Sequence, residues 1–119
     1  MLALNEVQGM VQKAARGAGF PIGQAEDLGR VAAYLAGTGG QLAPITAALQ
    51  EVPGQVDVSW CAEAIEIKSG PVILIAPIIC DALKMGHATA TLADIDHAPL
   101  VSAFLAANGI AQTWDGRKV

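Results

Sequence analysis

The densest group of side chains that could bind a metal ion is Asp94-Ile95-Asp96-His97, which His87 precedes by a few residues. Carboxylate oxygens and imidazole nitrogens are ligands for zinc, manganese and iron. If this segment is a strand, Asp94 and Asp96 share one face and could ligate together. In the alternative, Asp96 caps a helix that begins near His97, and Asp94 is solvated. We expect the capping role, without a metal or other cofactor.

A second candidate for chemistry is Cys80, followed by Asp81 near the start of a predicted helix. A helix N-terminus lowers the pKa of a thiol, and His87 could serve as its base if the fold brings the two together. Cys80 also continues an apolar run, however, and a lone cysteine in such surroundings is commonly an inert core residue. The sequence leaves both interpretations open.

Arg16 and Glu26 flank a turn that contains Gly17, Gly19 and Gly23. These glycines follow a predicted helix rather than a strand, so they indicate a helix end and a tight turn, not a phosphate-binding loop. The two charged residues could form a structural ion pair or contribute to a pocket. The full set of candidate pocket residues is Arg16, Glu26, Cys80, Asp81, His87 and His97.

Helices account for the first part of the chain. Apolar residues recur at helical spacing over residues 5–18 and 23–36, with Asn5 and Gln8 as a capping box for the first helix. Glycines end both segments, which predicts a helical hairpin. Pro44 opens a short third helix, and Pro53-Gly54 closes this half.

Strands and helices mix in the second part. Alternating residues predict half-buried strands over 56–60 and 65–67, and the β-branched run 72–75 predicts a central strand that Pro77 stops. Further elements are a helix over 78–85, a strand over 89–95, a helix over 98–108 and a strand over 110–114. Asp115-Gly116 then signals a hairpin turn whose returning strand has only three residues left.

These elements predict an α+β fold in which the N-terminal helical hairpin packs on a small mixed β-sheet with two further helices. At 119 residues the chain is long enough for one hydrophobic core, so we expect a single domain over 1–119, with a helical half at 1–52 and a mixed half at 53–119.

The first helices also carry a family resemblance. The stretch Leu4-Asn5-Glu6-Val7, then residues 13–21 (KAARGAGFP) and 23–27 (GQAED), resembles the opening of a bacterial protein family of unknown function. The likeness covers about the first third of the chain. It implies no activity, cofactor or site residue, because the family supplies none.

Composition narrows the classes of partner. Charged residues make up 15% of the chain and the net charge is −4, without any basic run, so we expect no nucleic-acid binding. The longest apolar run is too short to span a membrane, and the N-terminus lacks the pattern of a signal peptide, which predicts a cytoplasmic protein without membrane contact. Hydrophobic residues make up 53%, and this excess predicts a homo-oligomer.

Two functional classes fit these observations. The first is a non-catalytic, homo-oligomeric binding or accessory protein, with a small molecule as a further partner. The alternative is a small metabolic enzyme that acts on a small acid or amine through the candidate pocket. Whether the chain is an enzyme depends on whether those polar side chains converge.

Overall fold

The computed structural model describes residues 3–92, 94–114 and 118–119. In this part of the chain, glycine and proline residues separate five α-helices and three β-strands. Two compact units are present, Met1–Pro53 and Gly54–Val119. The first contains only helices and the second contains the sheet, which confirms the predicted α+β class. That the chain forms a single domain stays a prediction.

The first unit is built on a helical hairpin. Helix α1 spans Leu4–Gly17, helix α2 spans Ile22–Gly37, and the two pack closely along each other. Their buried faces consist of small and branched apolar side chains, namely Val7, Ala15, Ala25, Leu28, Val31 and Ala32. Apolar residues at helical spacing bury one stripe of each helix. The predicted hairpin is therefore correct, with bounds that differ by one residue.

The ends of these helices follow from local backbone chemistry. The turn after α1 has Gly19 in the left-handed region, at φ +98°, and the buried Phe20 donates its N–H to the Ala15 carbonyl. A short helix α3, Ala43–Leu49, follows with Pro44 in its first turn. The capping box predicted at Asn5 is wrong, because α1 begins earlier, with Ala3 as its N-cap.

A three-stranded mixed sheet lies in the second unit, in the order β1-β2-β3. Strands β1 (Asp57–Trp60) and β2 (Ala64–Ser69) pair antiparallel, with Val58 opposite Ile67. Strand β3 (Thr89–Thr91) pairs parallel to β2, with Ala90 opposite Ile65. A parallel pair needs a crossover connection, which a helix supplies here.

That connection is α4, Val72–Lys84, which contacts β2 and β3. Helix α5, Ala98–Ala107, packs against α4. The core of this unit combines one face of β2 with both helices and is formed by Ile65, Ile67, Ile73, Ile75, Ile79, Leu100, Val101 and Leu105.

The central strand predicted over 72–75 is wrong, since these residues form the first turn of α4. The buried positions in α4 are Val72, Ile73, Ile75, Ala76, Ile79, Cys80 and Ala82, which is the spacing of a wide helical face. Pro71 precedes the helix, so its missing N–H and fixed φ suit this position. Pro77, predicted to stop a strand, lies inside the helix.

Two other predicted strands also differ from the structure. Residues 110–114 are irregular, and the strand predicted over 89–95 ends at Thr91. The outer edge of β3 is paired instead by the last residues described, because Ala90 and Val119 exchange N–H···O bonds of 3.0 and 2.8 Å. The turn predicted at Asp115-Gly116 lies outside the described residues.

Candidate functional site

His87 occupies the junction between α4 and β3, and backbone bonds fix its position. Its N–H donates to the Ala82 carbonyl at 3.1 Å, and the preceding Gly86 has a φ of +102°. Together these features end α4 in the manner of a glycine C-cap. The next two N–H groups, of Ala88 and Thr89, both donate to the Glu63 carbonyl and lead the chain into β3.

The imidazole of His87 has one aromatic neighbour and one unpaired nitrogen. Its ring lies 5.5 Å from that of Trp60, centroid to centroid, at an interplanar angle of 60°. Its Nδ1 is buried, and it is the one buried side-chain nitrogen or oxygen without a hydrogen-bond partner in the described part of the chain. Leaving such an atom unpaired costs roughly 1–3 kcal/mol. Buried polar atoms in folded proteins usually have a hydrogen-bond partner, so this nitrogen is an exception among the described side chains.

His87 also borders a cleft of about 400 Å³. Its walls come from the end of α4, the start of β3 and the irregular segment after α5. The lining residues are Leu83, His87, Ala88, Thr89, Ile110, Ala111, Gln112, Thr113 and Val119. This volume is within the range of small-molecule sites in proteins.

The irregular wall is held in place by hydrogen bonds even though it is not a strand. The Ile110 N–H donates to the Leu105 carbonyl at 2.9 Å, at the end of α5. Gln112 Nε2 donates to the Ser102 carbonyl at 3.1 Å, and its Oε1 accepts from Trp114 Nε1 at 2.8 Å. Both ends of the Gln112 amide are thus engaged within the protein, and the bond to Ser102 ties this segment to α5.

The predicted nucleophile Cys80 is buried, only 3% exposed, within α4. Burial raises the pKa of its thiol from 9.0 to about 11; the nearby Lys84 lowers it and Asp81 raises it, both by less. A thiol with a raised pKa is mostly protonated at neutral pH, so it is a poor nucleophile. Together with its burial, this makes Cys80 an inert core residue. Its neighbour Asp81 is exposed on the same helix.

The acidic segment before α5 forms a cap, but not with the residue that we predicted. Asp94 Oδ1 accepts the Asp96 N–H at 2.9 Å and begins a short 3-10 helix, Ile95–His97. The half-buried His97 places its Nε2 3.9 Å from Asp94 Oδ2. Across the described ranges, no group of three or more His, Cys, Asp or Glu side chains is placed to hold a metal ion.

The two remaining candidates belong to the first unit. Arg16 is exposed in the last turn of α1, and Glu26 is half-buried on α2. Both residues are described by the structure, and no ion pair joins them. Every residue that lines the cleft belongs to the second unit. Of the predicted pocket residues, the cleft therefore contains His87.

Sequence reasoning missed most of the lining. Thr89, Gln112 and Thr113 carry the polar groups of the cleft beside His87, and no motif distinguishes them. Trp60, a large aromatic side chain at a strand end, lies beside His87 but does not line the cleft. It is 51% exposed and contacts His87.

Comparison with known proteins finds a family likeness over the first helices. A family model described as a protein of unknown function (DUF3726) matches residues 2–42, which confirms the resemblance predicted over the first helices. No curated protein and no solved structure matches the chain significantly. The matched segment lies within the first unit, whereas the cleft lies in the second.

Within the residues that the structure describes, no helix combines the length and the apolar character needed to cross a bilayer.

Proposed function

We propose that this chain is a non-catalytic, self-associating binding protein that takes a small molecule in the His87 cleft. The observation that supports it is a cleft of about 400 Å³ that is lined by His87, Thr89, Gln112 and Thr113 beside apolar side chains. The wall that contains Gln112 is tied to α5 by the hydrogen bond from Gln112 Nε2 to the Ser102 carbonyl. Both cysteines are free, which supports a reducing compartment such as the cytoplasm.

Binding is favoured over catalysis by what surrounds the cleft. A nucleophilic enzyme needs an activated nucleophile within hydrogen-bond reach of a base. Cys80 is buried with a raised pKa, and neither Asp81 nor His97 lines the cleft. His87 is the one ionisable side chain among the lining residues described. A single imidazole with two threonine hydroxyls suits recognition better than bond breaking.

Self-association has its own support in exposed apolar side chains of the second unit. Trp60 is 51% exposed and Met85 is 69% exposed, and the chain as a whole has only 15% charged residues. Strand β1 is the edge of the sheet opposite β3, and edge strands are sites at which chains pair. We expect a dimer or larger species by multi-angle light scattering at micromolar concentration. A monomer under those conditions would overturn this part of the proposal.

The binding role is tested by a fragment screen on the isotopically labelled full chain. Small compounds of mixed charge are added singly, and amide shifts are followed by ¹H–¹⁵N correlation spectra. We expect at least one compound to shift the amides of residues 87–89 and 110–113 with saturation. A library without any such compound would contradict the binding role.

A pair of tryptophan variants locates the binding. Ala111→Trp places a large ring in the cleft, and Ala111 is exposed, so the variant folds without disturbing the core. Ala106→Trp adds the same ring to an exposed position of α5 that does not line the cleft. Binding should be lost in the first variant and kept in the second. Binding that survives in Ala111→Trp lies elsewhere and refutes the assignment of the cleft.

A further inference from the structure

Strand β1 turns the backbone groups of two of its residues away from the sheet. Cys61, which follows the strand, donates its N–H to the Ala64 carbonyl at 2.9 Å, so the backbone of Cys61 faces β2. Backbone groups alternate in direction along an antiparallel pair, which turns those of Ser59 toward β2 and those of Val58 and Trp60 outward. No described residue hydrogen-bonds these outward groups. The N–H and the carbonyl of both residues are therefore free to pair with another strand.

The side chains of the same two residues lie on the face of the sheet that packs against the helices. Val58 is opposite Ile67, which is buried in the core. Trp60 is opposite Ile65, which is buried as well. Residues opposite each other in an antiparallel pair point to the same face, whereas Ser59, between the two, points to the other face. Val58 is half-buried and Trp60 is 51% exposed, so the edge presents two apolar side chains separated by a hydroxyl.

We infer that β1 pairs antiparallel with β1 of a second copy of this chain, about a two-fold axis that passes through Ser59. This inference rests on the proposed self-association and specifies its surface and register. With the axis at Ser59, Val58 of each copy is opposite Trp60 of the partner subunit. Each of these pairs exchanges two N–H···O bonds, so the outward groups of both copies are all used.

The order of side chains in β1 selects this register. An axis at Val58 or at Trp60 would place the other of these residues opposite a position outside the partner's strand. With the axis at Ser59, valine meets tryptophan twice, and aromatic residues opposite β-branched ones are favourable cross-strand pairs. The two serines meet at the axis, where their hydroxyls can hydrogen-bond. The sequence valine-serine-tryptophan is thus complementary to its own reverse, which favours a second copy over an unrelated strand.

Charge does not oppose the pairing. Asp57 is the charged residue of β1, and the two copies of Asp57 would lie at opposite ends of the ladder, about 13 Å apart along the strands. Lysine and proline commonly block pairing at the edges of sheets, and β1 contains neither. The register shift between β1 and β2 falls between Asp57 and Val58, before the residues that pair. The edge therefore lacks a charged or conformational barrier at its centre.

Disulfide trapping tests the register in the full chain. Ser59→Cys, made together with Cys61→Ser, places two thiols across the axis with their Cα atoms about 4.5 Å apart, a separation that a disulfide can span. With oxidised glutathione at micromolar protein concentration, we expect a covalent dimer on a non-reducing gel. Glu66→Cys in the same background is the control, because Glu66 shares the face of Ser59 one strand further from the axis. Its two thiols would be about 14 Å apart and should not join.

A charge at the axis should weaken the pairing without a cross-link. Ser59→Lys places two like charges directly opposite each other, which destabilises a pair of strands. We expect the dissociation constant of the dimer, measured by sedimentation velocity, to rise by roughly tenfold or more. Ser69→Lys is the matched control, because Ser69 is exposed at the end of β2 and away from the axis. This variant should keep the dissociation constant of the unmodified protein.

The results separate this inference from the proposal on which it rests. A dimer by light scattering whose Ser59→Cys variant cross-links no better than Glu66→Cys would refute pairing through β1 and leave self-association standing. An unchanged dissociation constant in Ser59→Lys would refute the pairing in the same way. A monomeric unmodified protein would refute both self-association and this pairing, and the fragment screen tests the cleft independently of either.

Discussion

Gly29 of α2 lies so close to α1 that a β-carbon on it would be 2.7 Å from the carbonyl oxygen of Gln8. Real β-carbons are essentially never found at that distance from another heavy atom. The contact is with backbone, which cannot rotate away as a side chain can. The hairpin therefore depends on the absence of a side chain at this buried position.

Gly29→Ala should destabilise the hairpin. Alanine gains about 1 kcal/mol of helix propensity, but separating two packed helices costs typically 1–3 kcal/mol, so the net effect is a loss. Gly9→Ala in α1 is the control, because a β-carbon there meets nothing within 4 Å and should stabilise the helix. Hydrogen exchange of peptides from residues 4–37 should be faster in the first variant and slower in the second. Equal effects of the two variants would disprove the packing argument.

The two cysteines should react very differently with iodoacetamide. With a pKa of about 11, Cys80 is roughly one part in a thousand thiolate at pH 8, and it is also buried. Cys61 is exposed. Peptide mass mapping of the native protein should find Cys61 alkylated and Cys80 intact, with both modified in denaturant. Alkylation of native Cys80 at a rate similar to that of Cys61 would contradict its burial.

The same thiol makes stability depend on pH. The pKa of Cys80 is raised on folding from 9.0 to about 11, so the folded state holds the proton more tightly than the unfolded state. This contribution is complete below pH 9 and is lost as the pH rises from about 9 to 11. Urea unfolding across this range should show a loss of stability that is smaller in Cys80→Ala. Parallel curves for the two proteins would show that Cys80 is not the group responsible.

His87→Phe should leave the protein as stable as before or more stable, by up to about 1 kcal/mol. Phenylalanine keeps an aromatic ring beside Trp60 and removes the unpaired Nδ1. His97→Phe is the control. The imidazole of His97 lies near the Asp94 carboxylate, so the protein should lose stability when His97 is replaced. Thermal unfolding measures both variants. A clear loss of stability in His87→Phe would mean that Nδ1 has a partner in solution.

Removal of Lys118 and Val119 should expose the outer edge of β3. The N–H of Ala90 donates to the Val119 carbonyl, so its exchange with solvent should accelerate in the truncated chain. Lys118→Ala keeps the backbone and should leave that exchange unchanged. Amide exchange measured by NMR distinguishes the two variants. Unchanged protection of Ala90 after truncation would rule out this pairing in solution.

Local signals predicted the elements whose patterns were unambiguous. The hairpin helices have apolar residues at a period of 3.6 and glycines at their ends, and α5 is followed two residues after its last residue by Gly109, which has a φ of +72°. The β-branched residues at the start of α4 favour a strand, and Pro77 favours its end, so the sequence alone predicts a strand where the structure has a helix. Propensity is a weak guide when a wide helical face is buried on a sheet and on another helix.

The irregular segment 110–114 could not be predicted from its own residues. It resembles a strand, but the edge of β3 next to Ala90 is already paired with Val119. The cleft shares this difficulty, since residues 83, 87–89, 110–113 and 119 meet only through the tertiary fold. His87 could be identified as a candidate because imidazole is a rare and versatile side chain. Its unpaired nitrogen is visible only once the fold is known.

The crossover through α4 also determines the order in which the second unit can assemble. Strands β1 and β2 are joined by three residues, so they can pair soon after the chain begins to collapse. Strand β3 can reach β2 only when the chain between them has compacted, which happens when α4 forms. We therefore expect the parallel ladder to close late during refolding. His87, at the end of that crossover, acquires its neighbours in the same late step.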